Sequence, residues 1–201
     1  MPERGKDEIL IKGGAMREGN RHHSGLVFQH EDDEFKKYIR DIKDWPKPGV
    51  TFRDITPLLR KGNILNKAID KMAYRFRNEE IALIVSMEAR GFILGAALAN
   101  ELECGFVPVR KEGKLPYERL TMNYTLEYGL GTLEMHVDAI DEGQRVLIVD
   151  DVLATGGTAK AAADLVKASR GKLICAAFLI ELTELGGRKL LDCPVYSLIR
   201  Y

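Results

Sequence analysis

Apolar residues recur along this chain with two different periods, and the chain switches between them several times. Phe35, Tyr38, Ile39 and Ile42 fall at i, i+3, i+4 and i+7, which predicts a short amphipathic helix starting near Asp33. The acidic residues at 31–34 suit its N-terminus, and Trp45-Pro46-Lys47-Pro48-Gly49 stops it. A second helix is predicted over 64–76 and a third over 92–102. Short apolar runs at 81–85, 106–109, 146–149, 173–180 and 195–199 read as strands, several buried on both faces. Strands alternating with helices imply an α/β fold, a mainly parallel twisted sheet flanked by helices. Residues 111–131 show no clear period, after which Leu133, Met135 and Val137 alternate as a strand. An aperiodic stretch of that length inside a compact domain is usually functional.

Composition narrows the class without changing this picture. The chain has 201 residues, 45% hydrophobic and 30% charged, enough for one domain with a full core. Lys+Arg and Asp+Glu both total 30, so overall charge does not suggest nucleic acid or an anionic membrane surface. Cys104, Cys175 and Cys193 lack metal-ligand spacing and leave one thiol over, which fits a reducing compartment. No apolar run approaches a membrane span and no signal-peptide pattern opens the chain, so a cytoplasmic location is expected. In residues 1–30, Gly5, Gly13, Gly14, Gly19 and Gly25 interrupt any period, and His22, His23 and His30 read as solvated rather than metal-bound. The expected division is therefore a flexible leader over 1–30 and one domain over 31–201.

Candidate chemistry concentrates at two strand ends. Val146, Leu147, Ile148 and Val149 lead into Asp150 and Asp151, and the small-residue stretch Ala154-Thr155-Gly156-Gly157-Thr158 opens an alanine-rich helix. Glycines admit close backbone approach, and the first amides of a helix lack internal acceptors, so this loop can wrap a phosphate. Two carboxylates beside a phosphate would repel it. They are better explained as acceptors for sugar hydroxyls, or as groups acting through a divalent metal. No Lys follows the glycines and no GxGxxG spacing occurs, which argues against a P-loop and a dinucleotide fold. Glu88-Ala89-Arg90-Gly91 repeats the strand-to-helix arrangement at a second place.

The segment VDDVLATGGT at 149–158 resembles the phosphoribosyl pyrophosphate motif of the type I phosphoribosyltransferases. GVTFRDITPLL at 49–59, EARGFILGAALA at 88–99, VRKEGKLP at 109–116, YTLEYG at 124–129 and IELTELGGR at 180–188 resemble the adenine-using branch, in matching order over roughly 34–201. The resemblance implies the type I fold with a small hood and a flexible catalytic loop. It also implies conversion of adenine and phosphoribosyl pyrophosphate to AMP and pyrophosphate, and a homodimer. By resemblance, Asp150, Asp151, Ala154, Thr155, Gly156, Gly157 and Thr158 take the ribose and 5′-phosphate. Glu88, Ala89, Arg90, Arg110, Lys111 and Lys114 face pyrophosphate, with a cis-type bond between Glu88 and Ala89. Magnesium is expected through substrate and water near Asp150 and Asp151, with no direct side-chain ligand assigned.

For adenine, the resemblance gives the Thr51 carbonyl, the Arg53 amide, the Phe52 ring face and Leu182 on the other side of the base. Phe52 as plain core is the alternative. Glu127 is placed near the base and C1, either to accept a proton, to stabilise a cationic sugar, or merely to face solvent. Tyr124 and Tyr128 would help the loop close. Two other functions stay open on sequence: a 6-oxopurine phosphoribosyltransferase, and a non-catalytic regulator sensing phosphoribosyl pyrophosphate. The absence of a Lys placed to donate to a 6-oxo group in 181–188 weighs against the first. A leader too short for a DNA-binding domain weighs against the second.

Overall fold

A computed structural model describes residues 33–125 and 130–201; the proposed leader and Glu127 lie outside them. Its centre is a seven-stranded sheet in the order β5-β6-β4-β3-β7-β8-β9. The strands are β3 (Leu83–Met87), β4 (Gly105–Lys111), β5 (Arg119–Thr125), β6 (Leu130–His136), β7 (Arg145–Leu153), β8 (Lys172–Glu181) and β9 (Val195–Arg200). The five strands from β4 to β9 in that order are parallel, and β5 and β6 add an antiparallel edge beside β4.

Alternation along the central strands divides the core. Ile84, Leu147, Val149, Ala177 and Leu179 turn to one face, where they meet Ile69 and Met72 of α3 (Gly62–Tyr74) and Leu94 and Leu98 of α4 (Arg90–Glu101). Val85, Val146, Ile148, Ala176 and Phe178 turn to the other, under Ala162, Leu165 and Val166 of α5 (Gly157–Ala168). Burying one such Leu contributes about 1.5–3 kcal/mol. The adjacent strands β3 and β7 thus send their following helices to opposite faces. A crevice opens where those connections diverge, at the carboxyl ends of the strands.

A second, two-stranded antiparallel sheet, β1 (Arg40–Lys43) with β2 (Thr51–Asp54), forms the small hood. Asp54 is buried where β2 ends. It accepts Arg40 Nε at 2.9 Å and the Thr56 amide at 2.9 Å, fixing the entry to α2 (Thr56–Leu59). Trp45, half exposed, sets its ring edge-on to Phe52 with centroids 4.5 Å apart.

Two sequence expectations change. The helix begun at Asp33, α1 (Asp33–Lys36), ends at Lys36, and Ile42 lies in β1 with 37% of its surface exposed. Ladder pairing of 40–43 with 51–54 outcompetes a helical period that only four apolar residues supported. The stretch 111–131 contains β5, paired residue for residue with β6 from Arg119–His136 to Thr125–Leu130. Leu120, Met122 and Tyr124 alternate there and pack on the second core cluster, but charged and polar residues between them hide the period.

Candidate active site

The carboxyl end of β7 carries Asp150 and Asp151. Asp150 Oδ1 accepts the Asp151 amide at 2.9 Å, and Arg90 Nε donates to Asp151 Oδ2. Burial, aided by the neighbouring Asp151 charge, pushes the Asp150 carboxyl well above the ordinary carboxylate range. An added positive group beside the pair would relieve both effects. Gly91 is required here for space: a Cβ at that position would sit 2.5 Å from Asp150 Oδ1.

Beyond the aspartates the chain turns at Gly156, whose φ of +88° places it in the left-handed region and makes it the N-cap of α5. The first turn of α5, whose amides lack acceptors within the helix, borders a small cavity of about 90 Å³ lined by Asp150 and by residues from Val152 to Ala159. Thr155, Gly156, Gly157 and Thr158 all line it. A larger cavity of about 560 Å³ adjoins it and shares Asp150, Val152, Ala154 and Thr158.

Most of the remaining predicted residues line that larger cavity: Thr51, Phe52, Arg53, Glu88, Ala89, Arg90, Lys111, Asp151 and Leu182. The Glu88–Ala89 peptide is cis. The Arg90 guanidinium lies 4.9 Å from the Phe52 ring centroid, so one cation touches both the hood and the aspartate pair. Phe52 is therefore a wall of the cavity rather than plain core.

Arg110 and Lys114 are not among the lining residues. Arg110 Nε donates to Glu88 Oε2 at 2.9 Å and Lys114 Nζ to Glu88 Oε1 at 2.8 Å, while Arg110 Nη1 reaches the Lys114 carbonyl at 3.0 Å. Burial would raise the Glu88 carboxyl. The hydrogen bonds from Lys114 and Arg110 outweigh it and hold the group below its ordinary value. Glu88 thus gathers the cations expected to face an anion. A second buried carboxylate, Glu134 of β6, accepts the Gly113 amide at 3.0 Å and Arg119 Nε at 2.7 Å, fixing the turn that carries Lys111 and Lys114.

Val50, Met87, Leu133, Val152 and Leu185 also line the cavity and escaped the sequence reading. Val50, Val152 and Leu185 lie inside recognised segments, Met87 lies next to one and Leu133 belongs to an alternating strand, but as ordinary apolar residues none carried a signal of its own. Glu134 had a clearer one, as a carboxylate flanked by the buried strand residues Leu133 and Met135.

Two strand-to-helix turns that meet at one switch point, capped by a hood, give the arrangement of a phosphoribosyltransferase type of site. Residues 56–199 match the phosphoribosyl transferase domain model. The chain is 54% identical over 169 residues to an adenine phosphoribosyltransferase of Brachyspira hyodysenteriae, covering 84% of this chain and 99% of that protein. It is also similar to the crystal structure of the adenine phosphoribosyltransferase of Thermoanaerobacter pseudethanolicus, with a TM-score of 0.81, 51% identity and coverage of 84% of this chain and 98% of that one. The Saccharomyces cerevisiae enzyme, solved with D-2,5-dideoxy-2,5-imino-altritol 1,6-bisphosphate and adenine, gives a TM-score of 0.79 and 40% identity over 82% of this chain and 96% of that one. The chain belongs to the adenine phosphoribosyltransferase family.

Proposed function

We propose that this chain transfers the phosphoribosyl group of phosphoribosyl pyrophosphate to adenine, giving AMP and pyrophosphate in purine salvage. The observation that carries the reading is the convergence on one crevice of the Glu88-Ala89-Arg90 turn, the 150–158 loop and the hood segment Thr51–Arg53. The 5′-phosphate takes the amides and hydroxyls of 154–158, and Asp150 and Asp151 accept the ribose hydroxyls. Pyrophosphate takes the Ala89 turn with Arg90 and Lys111, and draws Arg110 and Lys114 from Glu88. Arg supplies forked contacts and Lys a point charge.

Adenine sits between Phe52 and Leu182, its amine donating to the Thr51 carbonyl and its ring nitrogen accepting from the Arg53 amide. Glu127 acts near C1 as the transition state forms, either taking a proton from the purine or stabilising the cationic sugar. Holding both reactants in line supplies much of the rate. The donor set fits magnesium held mainly by substrate. The adjacent Asp150 and Asp151 carboxylates line the cavity, and the raised Asp150 carboxyl marks a place that a cation would suit. Asp150 and Asp151 are the residues beside which magnesium would be held, where it would supply positive charge against the pyrophosphate. A homodimer in the cytoplasm, with a catalytic domain over 31–201 and a dispensable 1–30 segment, completes the proposal. Among the described residues no helix is long and apolar enough to cross a membrane.

Base choice tests it. Hypoxanthine would set a carbonyl against the Thr51 carbonyl and an N–H against the Arg53 N–H. Each unmatched buried polar group costs about 1–3 kcal/mol, so hypoxanthine and guanine should fall at least roughly a hundredfold below adenine in kcat/KM. Comparable yields of AMP and IMP from an equimolar mixture would overturn the base assignment. Nucleotide from neither base would overturn the enzymatic reading in favour of a sensor.

A further inference from the structure

A buried ion cluster outside the cavity bears on the phosphate loop. After Glu181 the chain leaves β8 and runs through two 3₁₀ turns, Thr183–Leu185 and Gly187–Leu190, before returning as β9. Gly187 is buried against the phosphate loop. A Cβ there would fall among backbone atoms of Ala154, Thr155 and Gly156, and one on Gly156 would strike the Gly187 backbone. Two bare backbones in contact have no interlocking side chains, so something else must hold the strap in place.

Arg188 is the next residue. Its Nε donates to Glu181 Oε1 at 2.9 Å, its Nη2 to Oε2 at 2.5 Å and its Nη1 to the Val195 carbonyl at 2.6 Å. Ser197 Oγ donates to the same Oε2 at 2.7 Å, and Arg200 Nε lies 3.2 Å from it. Glu181 is buried in the core wall. A planar fork bonded in two directions fixes orientation as well as distance. We propose that Arg188 is a positioning residue that presses Gly187 onto residues 154–156 and so holds the phosphate loop in its binding shape; this rests on the proposed role of that loop toward phosphoribosyl pyrophosphate.

The base side of the strap is tied down independently. The Leu182 amide donates to the Leu153 carbonyl at 2.9 Å, and the Thr183 amide and hydroxyl donate to the Tyr201 carbonyl at 2.9 and 2.6 Å. Loss of Arg188 therefore frees residues 186–190 while Leu182 keeps its place in the cavity wall. The consequence is a selective defect, which general loosening of the fold would not give.

The experiment compares the parent chain with Arg188→Ala, Arg188→Lys and the double variant Arg188→Met with Glu181→Gln, measuring KM for each substrate, kcat and Tm. The double variant leaves no stranded carboxylate, so it tests the idea even where Arg188→Ala fails to fold. Displacing the loop should raise KM for phosphoribosyl pyrophosphate about tenfold or more in Arg188→Ala and in the double variant. KM for adenine should stay within about twofold, because its wall is separately anchored. Arg188→Lys, which keeps the charge on Glu181 and cannot also bridge to Val195, should fall between. A folded variant with unchanged KM for phosphoribosyl pyrophosphate, equal rises for both substrates, or a fall in kcat alone would overturn the inference and leave the site reading standing. Absence of turnover in the parent would sink the site reading itself, and this inference with it.

Discussion

Gly91→Ala is the sharpest small perturbation of the site. The new methyl carbon would start 2.5 Å from Asp150 Oδ1 and 3.3 Å from its carboxyl carbon. To reach an ordinary contact near 3.4 Å the carboxylate must retreat by roughly 0.9 Å. Gly91 stands in the first turn of α4, whose backbone is held by the helix, so Asp150 is the partner that gives way. Its retreat strains the 2.9 Å bond from the Asp151 amide and shifts the pair that Arg90 holds.

Two effects on stability oppose each other. Overpacking costs about 1–3 kcal/mol, whereas replacing Gly by Ala in a helix gains about 1 kcal/mol. The net loss of about 0–2 kcal/mol moves Tm by at most roughly 8 °C for a domain of this size. Stability is thus a weak readout and substrate affinity a strong one. A displacement near 1 Å at a binding carboxylate can cost on the order of a hundredfold. KM for phosphoribosyl pyrophosphate should rise by about that factor, with adenine affected far less. Steady-state kinetics with each substrate varied in turn, beside a melting curve, measures both. A folded Gly91→Ala protein whose KM for phosphoribosyl pyrophosphate matches the parent would refute the placement of Asp150 in the ribose site.

Glu127→Gln should lower kcat more than it changes either KM, if the carboxylate acts mainly as the transition state forms; a pure KM effect would assign it to binding instead. Glu88→Gln should lower stability at neutral pH by about 1–2 kcal/mol, a figure discounted because Lys114 and Arg110 are partly exposed. The Glu88 carboxyl is held below its ordinary 4.5 in the fold, so its stabilisation is complete above that value and is lost as pH falls through the folded pKa. Denaturation curves of parent and Glu88→Gln should therefore converge in acid, and a gap independent of pH would contradict the ion cluster. Lys114→Ala should weaken phosphoribosyl pyrophosphate and pyrophosphate together while sparing adenine, as competition with added pyrophosphate would reveal.

The sequence carried the central architecture because its signals were local and redundant. The run 146–149 is buried on both faces, its end bears two carboxylates, and Gly156 marks the left-handed turn into α5, so strand, site and helix announce one another within a dozen residues. The hood was less legible. Ile42 fits a helical period by position, and only antiparallel pairing with Phe52 across the turn at 44–50 makes it a strand. The β5 strand was hidden for a related reason, since one of its faces is polar and its partner β6 supplies the register. In the site, Arg110 and Lys114 read as cations aimed at an anion. Their attachment to Glu88 depends on the fold of β4 onto β3, which no spacing encodes. The Glu181–Arg188 cluster lay inside a recognised segment, yet its reach to Val195 and Ser197 is a product of β8 and β9 lying side by side.

The edge-on contact of Trp45 with Phe52 gives this chain a built-in optical reporter. Trp45 is the sole tryptophan, and its indole is half in water while its other side abuts the ring proposed to stack on the base. A purine entering beside Phe52 would change the polarity and quenching around that indole, whereas a ligand confined to the 154–158 loop would leave it nearly untouched. The order in which the two substrates arrive can therefore be followed by emission from the unlabelled protein, one half of the crevice bright to the spectrometer and the other silent.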